Sequence, residues 1–397
     1  MPVTTPDRTS GTAPHRVDRT AAELLQAYSR SDIFLRTPAR TLLGRGRQAG
    51  LRPDVPRSSL AEHAQLSALA DGVAGGAGIV LGSIPFAAEA PAQLVVPETL
   101  WSAVDECRPG PSARSLLVPG CRLVPVPSAA VYRQAVTDAL AAIKAGRLRK
   151  VVLARALDLF VEHPVDVGCL LRELLHRRSG DYVFAVPLPS GRTLVGASPE
   201  LLVSRTDAAV RAVPLAGSAP RSDDPAEDRQ RAAALLASEK TRHEHAVVVS
   251  AVADALAPLC TALSVPDEPS LMSTPTMWHL ATTVTGRAEH STALELALAL
   301  HPTPAVCGTP VDLAAAAIGG LEPFDRGYFA GATGWLDAAG NGEWTVTLRC
   351  AEIGENTLRL FAGAGIVAGS VPAEEADETT AKFATLLSVL GVADATE

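Results

Sequence analysis

A hairpin pattern near the C-terminus constrains the fold more than any other feature of this sequence. In the range 343–352 apolar and polar side chains alternate, which places Trp344, Val346 and Leu348 on one face. A strand with one buried face shows this period of two. The turn signal at 354–356 follows, and the chain then returns through a second apolar segment. We therefore predict an antiparallel hairpin, with 343–352 as one continuous strand.

Further hairpin and helix patterns alternate along the chain. The range 182–196 predicts a second hairpin, whereas 59–69, 132–146 and 293–300 have helical periodicity. The range 225–263 predicts one long helical region. Hairpins interspersed with long helices indicate an α+β fold rather than a doubly wound parallel sheet.

Composition limits the class of protein. The chain has 397 residues, 47% of them hydrophobic and 20% charged, as in soluble globular proteins. A formal net charge of -8 disfavours general binding to nucleic acid or to anionic membranes. We expect residues 1–20, which contain no apolar run, to be disordered and 21–397 to form one domain.

Cysteine usage and hydropathy predict a cytoplasmic protein. The six cysteines are scattered and show no metal-binding spacing, which is typical of reduced thiols. The most apolar long segment, 246–263, contains Asp254 and Pro258. We therefore interpret it as a buried helix and not as a membrane span.

A glycine-rich segment at 360–370 leads directly into a predicted helix with three charged residues. Glu375, Glu378 and Lys382 are three and four positions apart and therefore share one helix face. Two interpretations are open. The helix is a surface helix with a Glu378–Lys382 salt bridge, or its charged stripe lies beside a glycine turn whose backbone a ligand approaches closely.

Other candidate residues are also ambiguous when each is taken alone. Lys150 begins an apolar strand pattern, and Glu200 follows a strand and a proline. A histidine placed like His279, beside Trp278, is more often a hydrogen-bonded core histidine than a base. Arg349, on a threonine-lined strand face, is a candidate anion anchor. Glu244 begins the apolar stripe of a helix, where an unpaired carboxylate is costly.

Together these residues describe a narrower kind of site. Carboxylates at Glu244, Glu375 and Glu378 are oxygen ligands, which suit Mg²⁺ rather than zinc. Nearby cations suit a substrate with carboxylates, and Lys150 and Glu200 supply a base and an acid. The set predicts a site in which a multi-carboxylate small molecule is held by Mg²⁺.

Nine ordered motifs resemble those of the chorismate-utilising enzymes, and most closely those of isochorismate synthases. The resemblance spans residues 125–393, with weaker similarity back to about residue 30. The motifs are Lys150-Val-Val-Leu-Ala-Arg155, Gly196-Ala-Ser-Pro-Glu-Leu-Leu202, Pro214-Leu-Ala-Gly-Ser218, Ser238-Glu-Lys-Thr-Arg-His-Glu-His245, Trp278-His-Leu280, His301-Pro-Thr-Pro-Ala305, Glu322-Pro-Phe-Asp-Arg326, the strand from Gly342 to Cys350, and Gly363-Ala-Gly-Ile-Val-Ala-Gly369.

The resemblance implies a fold, a substrate and a set of roles. The family fold is a single large domain of two packed, mainly antiparallel sheets flanked by helices, and we expect a monomer. The substrate is chorismate and the cofactor Mg²⁺. Lys150 is expected to activate water for attack at ring C2, and Glu200 to protonate the departing C4 hydroxyl. Glu244 and Glu378 are expected to hold Mg²⁺, with Glu375 close by.

The resemblance also implies the residues that bind the substrate. Arg349 is expected to bind the enolpyruvyl carboxylate, and Lys382 with the Gly363 backbone to hold the other end. A hydroxide ion leaves poorly, so Glu200 must carry a proton, which requires a raised pKa in a dry pocket. The full expected set is Gly217, Ser218, His279, Ala305, Val306, Phe329, Arg349, Gly363 and Lys382.

Differences within the family favour isochorismate as the released product. Aminodeoxychorismate enzymes have a nucleophilic lysine where this chain has Ala216, and anthranilate synthases lack a lysine matching Lys150. Salicylate synthases have Thr and Tyr where this chain has Ala305 and Phe329. A salicylate synthase and a non-catalytic chorismate-binding protein are the alternatives. Siderophore, menaquinone and specialised-metabolite pathways all remain open.

Three departures from the family pattern surround the expected metal site. Thr241 replaces an acidic residue, and Val371 and Ala376 replace the usual Asp and Trp. We expect them to alter metal affinity and rate while leaving the main set of residues intact.

Overall fold

The computed structural model describes residues 19–50, 55–60, 78–104, 118, 120–177 and 182–392. The predicted disordered segment 1–20 lies almost entirely outside the described residues, and so does most of the predicted helix 59–69. Near the start of that helix, a single 3-10 turn covers Arg57–Ser59.

Short capping motifs define most of the helices. Thr20 and Thr292 each begin a helix with a capping box, in which a Glu three residues later returns the hydrogen bond. Ser128 caps a third helix, starting it earlier than its apolar periodicity predicts. The α-helices of the described ranges are α1 (Ala21–Ala27), α2 (Ala129–Lys144), α3 (Val167–Arg177), α4 (Pro225–Ala237), α5 (Glu239–Leu256), α6 (Ala293–Leu300), α7 (Val311–Leu321) and α8 (Pro372–Leu390).

The single helical region predicted for 225–263 is wrong. Ser238 adopts an extended conformation between α4 and α5, and its hydroxyl accepts a hydrogen bond from the N–H of Thr241. An extended residue ends the first helix and caps the second, so α4 and α5 are two separate helices. Beyond Leu256 the chain leaves the helix and forms a strand at Thr261–Ser264.

Strands make up about half of the remaining described chain. They are β1 (Ile33–Arg36), β2 (Thr41–Arg45), β3 (Ala49–Gly50), β4 (Ile79–Ile84), β5 (Gln93–Val96), β6 (Thr99–Ala103), β7 (Arg122–Val126), β8 (Lys150–Phe160), β9 (Tyr182–Pro187), β10 (Thr193–Ser198), β11 (Leu201–Thr206), β12 (Ala209–Ala212), β13 (Leu215–Pro220), β14 (Thr261–Ser264), β15 (Ser270–Ser273), β16 (Met277–Ala281), β17 (Val284–Arg287), β18 (Gly308–Thr309), β19 (Ala332–Asp337), β20 (Gly342–Val346), β21 (Cys350–Ile353) and β22 (Thr357–Val367).

The strands form two large antiparallel sheets and one small one. The first large sheet has the order β18-β8-β22-β21-β10-β9-β1-β2-β6, with β7 also paired to β8. The second has the order β14-β17-β12-β11-β20-β19-β4-β5-β3. This arrangement confirms the predicted α+β fold of two sheets flanked by helices. The third sheet, β13-β16-β15, is an additional element that the sequence did not indicate.

One apolar cluster joins the two large sheets. It includes Leu153 and Phe184 from the first sheet and Val203 and Trp344 from the second, all fully or almost fully buried. A second cluster covers the first sheet with side chains of α1, α3 and α8. No helix among the described residues is long and apolar enough to cross a membrane.

The prediction of one continuous strand at 343–352 is wrong. It is two strands, since β20 belongs to the second sheet and β21 to the first. Between them Arg349 has a φ of 46°, a left-handed conformation that redirects the chain from one sheet to the other. The hairpin of β21 with β22 is confirmed.

The predicted glycine turn at 360–370 is also largely wrong. Most of it belongs to β22, which pairs with β8 over its whole length. Only its end turns, at Gly369 with a φ of 90°, before α8 begins at Pro372. Gly363 and Gly365 therefore lie inside a strand, where a missing side chain lets other groups approach closely.

Candidate active site

One cavity brings all of the predicted site residues together. It lies where β8 and β22 meet the small sheet and the helices α5 and α8, and its volume is about 210 Å³. The predicted residues that line it are Lys150, Glu200, Gly217, Ser218, Glu244, His279, Ala305, Val306, Phe329, Arg349, Gly363, Glu375, Glu378 and Lys382.

A buried ion pair joins the predicted base to a predicted metal ligand. Lys150 is the first residue of β8 and its side chain is 2% exposed, with Nζ 2.8 Å from Oε1 of Glu244 on α5. Gly365 makes room for the pair, because a Cβ at that position would lie 2.5 Å from the same oxygen. The pairing explains how Glu244 tolerates its place at the start of an apolar stripe.

Glu200 is a fully buried carboxyl group at the end of β10. Its backbone carbonyl accepts hydrogen bonds from Thr345 Oγ1 at 2.6 Å and from the N–H of Val346 at 3.0 Å. Burial raises the pKa of Glu200 to about 7. The N–H of Leu215, which donates to Oε1 at 3.4 Å, opposes that rise, and so do the charges of the cavity cations, including Lys150. The raised pKa agrees with the requirement for a protonated acid at this position.

The charged stripe of α8 faces the cavity. Lys382 Nζ lies 2.6 Å from Glu378 Oε1 and also donates to the carbonyl of Gly363 at 2.8 Å. Ser218 Oγ donates to Glu378 Oε1 at 3.2 Å. Burial alone would raise the pKa of Glu378, but Lys382, Ser218 and Arg349 together bring it below its ordinary value. The predicted salt bridge therefore forms, and both of its residues line the cavity.

Glu375 completes a group of three carboxylates. It is buried, and its pKa is raised by burial and by the charges of Glu378 and Glu244, with Lys240 acting in the opposite direction from 3.8 Å. The oxygen donors and their mutual repulsion fit a hard divalent cation such as Mg²⁺. Among the described residues, no group of three or more His, Cys, Asp and Glu side chains is arranged as a metal site. Each of the three carboxylates instead pairs with a lysine.

Arg349 reaches the cavity from a strained backbone position. A non-glycine residue in the left-handed region costs about 1–3 kcal/mol, and Arg349 holds it between two strands of different sheets. Its carbonyl accepts a hydrogen bond from the N–H of Ala197 at 3.2 Å. The crossing point between the sheets therefore places a buried guanidinium group on the cavity wall.

An apolar wall faces the charged side of the cavity. The rings of Phe329 and Phe361 stack with centroids 5.1 Å apart and planes 7° from parallel. Behind them Arg326 donates to the carbonyl of Val306 at 2.8 Å and to the carbonyl of Val152 at 2.7 Å. Ala305 lies on the same cavity lining, so no hydroxyl group is contributed by the positions of Ala305 and Phe329.

The small sheet supplies the remaining predicted residues. His279 on β16 is buried and pairs in register with Ser218 on β13. Gly217 has a φ of 83°, and a Cβ there would lie 2.1 Å from Thr241 Cγ2 on α5. Thr241, one of the departures from the family pattern, therefore packs against the small sheet rather than contributing a charge.

Several cavity residues were not singled out from the sequence. They include Lys240, Arg326 and Phe361. Arg326 had a local signal, because Glu322 four residues earlier forms a buried ion pair with it. Lys240 had none, since its partner Glu375 is more than 100 residues away in the chain.

Comparisons with known proteins all match this chain to chorismate-binding enzymes. A model of the family described as "Chorismate binding enzyme" matches residues 118–391. The chain is 47% identical to isochorismate synthase DhbC of Bacillus subtilis over 389 residues, covering 94% of this chain and 96% of that protein. It is 41% identical to the vibriobactin-specific isochorismate synthase of Vibrio cholerae, covering 92% of each chain.

A solved structure is similar over nearly the same span. The crystal structure of the putative 2,3-dihydroxybenzoate-specific isochorismate synthase DhbC from Bacillus anthracis superposes with a TM-score of 0.88. It is 45% identical in sequence, and the match covers 94% of this chain and all of that chain.

Proposed function

Because the chain belongs to the chorismate-binding enzyme family, we propose that it is an isochorismate synthase, a Mg²⁺-dependent isomerase that converts chorismate to isochorismate. The similar proteins that carry this name match it over more than nine-tenths of its length. The observation that carries the proposal is the placement of Lys150 and a fully buried Glu200 on one cavity. A base and an acid are both needed to exchange one hydroxyl group for another.

The reaction balances without an oxidant or a co-substrate. Lys150 takes a proton from water as its oxygen bonds to ring C2. The C4–O bond breaks as the double bonds shift, and Glu200 gives its proton to the departing hydroxyl group, which leaves as water. Lys150 ends with an extra proton and Glu200 lacks one, and exchange with solvent restores both.

Proton donation by Glu200 is the step that the cavity supports most clearly. A carboxyl group whose pKa is about 7 is substantially protonated at neutral pH and still acidic enough to give up its proton. Lys150 lies in an ion pair with Glu244, and this pair must open before the amine acts as a base. Each general acid or base step of this kind contributes about 10²–10⁴-fold to a rate.

Cations on the cavity wall suit the two carboxylates of the substrate. Arg349 would bind the enolpyruvyl carboxylate, since its planar guanidinium matches a carboxylate in two hydrogen bonds. Lys382 would hold the opposite end of the substrate beside Gly363. Glu244 and Glu378, with Glu375 close by, would hold Mg²⁺, which when bound supplies positive charge for the ring carboxylate.

The lining around Ala305 and Phe329 favours release of isochorismate. A salicylate synthase would go on to eliminate pyruvate. Salicylate synthases have Thr and Tyr at these two positions, and this chain has neither. The product would then feed siderophore, menaquinone or specialised-metabolite synthesis. We further propose a cytoplasmic monomer that interacts with neither nucleic acid nor membrane.

Product analysis tests the proposal. We expect the purified protein with chorismate and Mg²⁺ to give isochorismate by HPLC and ¹H NMR, and EDTA to abolish turnover. Salicylate and pyruvate formed without an added lyase would establish the salicylate synthase alternative. Binding of chorismate with no turnover, and no difference between wild type and Lys150→Ala, would establish the non-catalytic alternative.

A further inference from the structure

The bulge in strand β13 lies between two residues that contact the proposed acid, Glu200, and the proposed metal ligand Glu378. Leu215 pairs with Ala281 and Ser218 pairs with His279, so one extra residue lies between these pairs on β13. The N–H of Leu215 donates to the carboxyl group of Glu200 at 3.4 Å. At the other end Ser218 Oγ donates to Glu378 at 3.2 Å. The position of the bulge therefore determines the environment of both carboxyl groups.

The bulge is fixed from one side by helix α5. Ala216 and Gly217 lie outside the strand pairing, and Gly217 packs closely against Thr241. The carbonyl oxygen of Ala216 lies 3.2 Å from Nδ1 of His245, which is 2% exposed. On the other side of the ring, Nε2 lies 2.8 Å from Thr282 Oγ1. The ring thus bridges α5, the bulge and the segment that follows β16.

The two partners determine the tautomer of His245. A carbonyl oxygen only accepts, so Nδ1 must carry the hydrogen that is donated to Ala216. In the neutral ring Nε2 then accepts, and the Thr282 hydroxyl donates to it. Both polar atoms of this buried side chain are therefore satisfied by partners that hold the bulge in place.

We infer that His245 is a positioning residue for proton transfer by Glu200. By holding the Ala216 carbonyl, it fixes the backbone of the bulge next to Leu215, whose N–H donates to the Glu200 carboxyl group. His245 is not among the described residues that line the active-site cavity, and together with Thr282 it borders a separate one. It acts on the substrate only through the bulge, and the inference rests on the proposed role of Glu200.

Two amide variants separate positioning from general packing. In His245→Asn the side-chain amide nitrogen replaces Nδ1 and keeps the hydrogen bond to Ala216. In His245→Gln the longer amide replaces Nε2 and contacts Thr282 instead. We expect kcat to fall about 10–100-fold in His245→Gln, with KM for chorismate changed less than about 3-fold, because only the acid is misplaced. We expect His245→Asn to keep kcat within about 3-fold of wild type.

A titration of Glu200 provides a readout that does not depend on turnover. With ¹³C-labelled glutamate carboxyl groups, the Glu200 resonance is assigned by its loss in Glu200→Gln. The Leu215 N–H favours the ionised carboxylate, so losing it should raise the Glu200 pKa in His245→Gln and leave it unchanged in His245→Asn. Circular dichroism melts establish that each variant is folded.

Equal loss of kcat in the two variants, or the same Glu200 titration in both, would overturn the inference. A rise in KM without a fall in kcat would also overturn it. If wild type forms no isochorismate, the proposed function fails, while the NMR titration still decides whether His245 controls the environment of Glu200.

Discussion

Gly365→Ala is the sharpest test of the ion pair at the centre of the cavity. The added Cβ would lie 2.5 Å from Glu244 Oε1 and 3.2 Å from Lys150 Cε. Ordinary contact begins at 3.4 Å, so the carboxylate must move by about 0.9 Å. The methyl group thus pushes on both partners of a pair whose atoms are 2.8 Å apart.

The size of the effect follows from that displacement. A misplacement of about 1 Å at a reacting group costs about 10²-fold in rate, or about 2.7 kcal/mol in the activation free energy. The effect on folding is smaller than that of deleting a buried charge, which costs about 3–5 kcal/mol. Replacing a strand glycine by alanine also stabilises the folded protein by about 0.5–1 kcal/mol, which offsets part of the destabilisation.

The assay combines turnover, metal dependence and stability. Isochorismate formation at saturating chorismate gives kcat, and a Mg²⁺ series gives the half-saturating concentration, which should rise because Glu244 is a proposed ligand. Gly320→Ala is the control, because a Cβ there meets nothing within 4 Å in helix α7. It should leave kcat unchanged and stabilise the fold by up to about 1 kcal/mol.

An active Gly365→Ala variant would contradict the proposed roles of Lys150 and Glu244. If this variant keeps kcat and its Mg²⁺ dependence within about twofold of wild type, then the positions of the Lys150 amine and the Glu244 carboxylate do not limit the reaction. A loss of activity that follows unfolding in the melting curve would likewise remove the support for the ion pair.

Three further perturbations test separate parts of the structure. Glu200→Gln should lower kcat by about 10²–10⁴-fold, and wild-type kcat/KM should fall as the pH rises through about 7, where Glu200 loses its proton. On folding, the pKa of Glu200 rises from 4.5 to about 7. The free energy of unfolding of the wild type should therefore decrease as the pH rises from 4.5 to about 7. At pH 8, Glu200→Gln should be more stable than the wild type in urea denaturation. Val371→Ser should stabilise α8 by about 0.5–1 kcal/mol, because the exposed N-cap Val371 makes no side-chain capping bond, and Val371→Ala is the control without gain. Arg326→Lys should destabilise the protein by about 3 kcal/mol in the same assay, since a lysine does not reach both backbone carbonyls and Glu322 as the guanidinium does.

Helices and hairpins with local signals could be predicted from the sequence. The helix at Ala293–Leu300 begins at a capping box and ends before His301-Pro302, so all of its information lies within a dozen residues. The break at Ser238 was missed although serine is a common N-cap, because the apolar periodicity continues on both sides of it. Periodicity averages over a window and does not resolve a single extended residue.

Passage of the chain between sheets could not be predicted. Apolar and polar residue types alternate in β20, although side chains on both of its faces are buried, and nothing in a period of two tells which sheet a strand joins. The same limit applies to 360–370, where glycines indicate a turn locally but lie in a strand that pairs with β8. Long-range pairing decides both cases, and it leaves no local sequence signal.

The site was predicted as a set of residues rather than as a geometry. Resemblance to a family identified residues that lie together in the cavity, whereas each residue alone had a structural explanation. The contacts that organise the cavity join distant segments, such as Lys150 to Glu244 and Lys382 to Gly363. Their roles in catalysis stay predictions until the variants are measured.

The pair of Glu378 and Lys382 shows why local and functional interpretations need not compete. Spacing of four on a helix predicts a salt bridge, and exposed pairs of this kind contribute only about 0.3–0.5 kcal/mol. Here the lysine also donates to Gly363 and Ser218 donates to the carboxylate, so the pair is part of the cavity. Since strand β22 and the β13 bulge contact the pair through Gly363 and Ser218, its side chains are held in one arrangement on the cavity wall. The same two residues therefore form the salt bridge that their helical spacing predicts and also belong to the proposed site. Only the neighbouring strands distinguish this pair from an ordinary surface salt bridge.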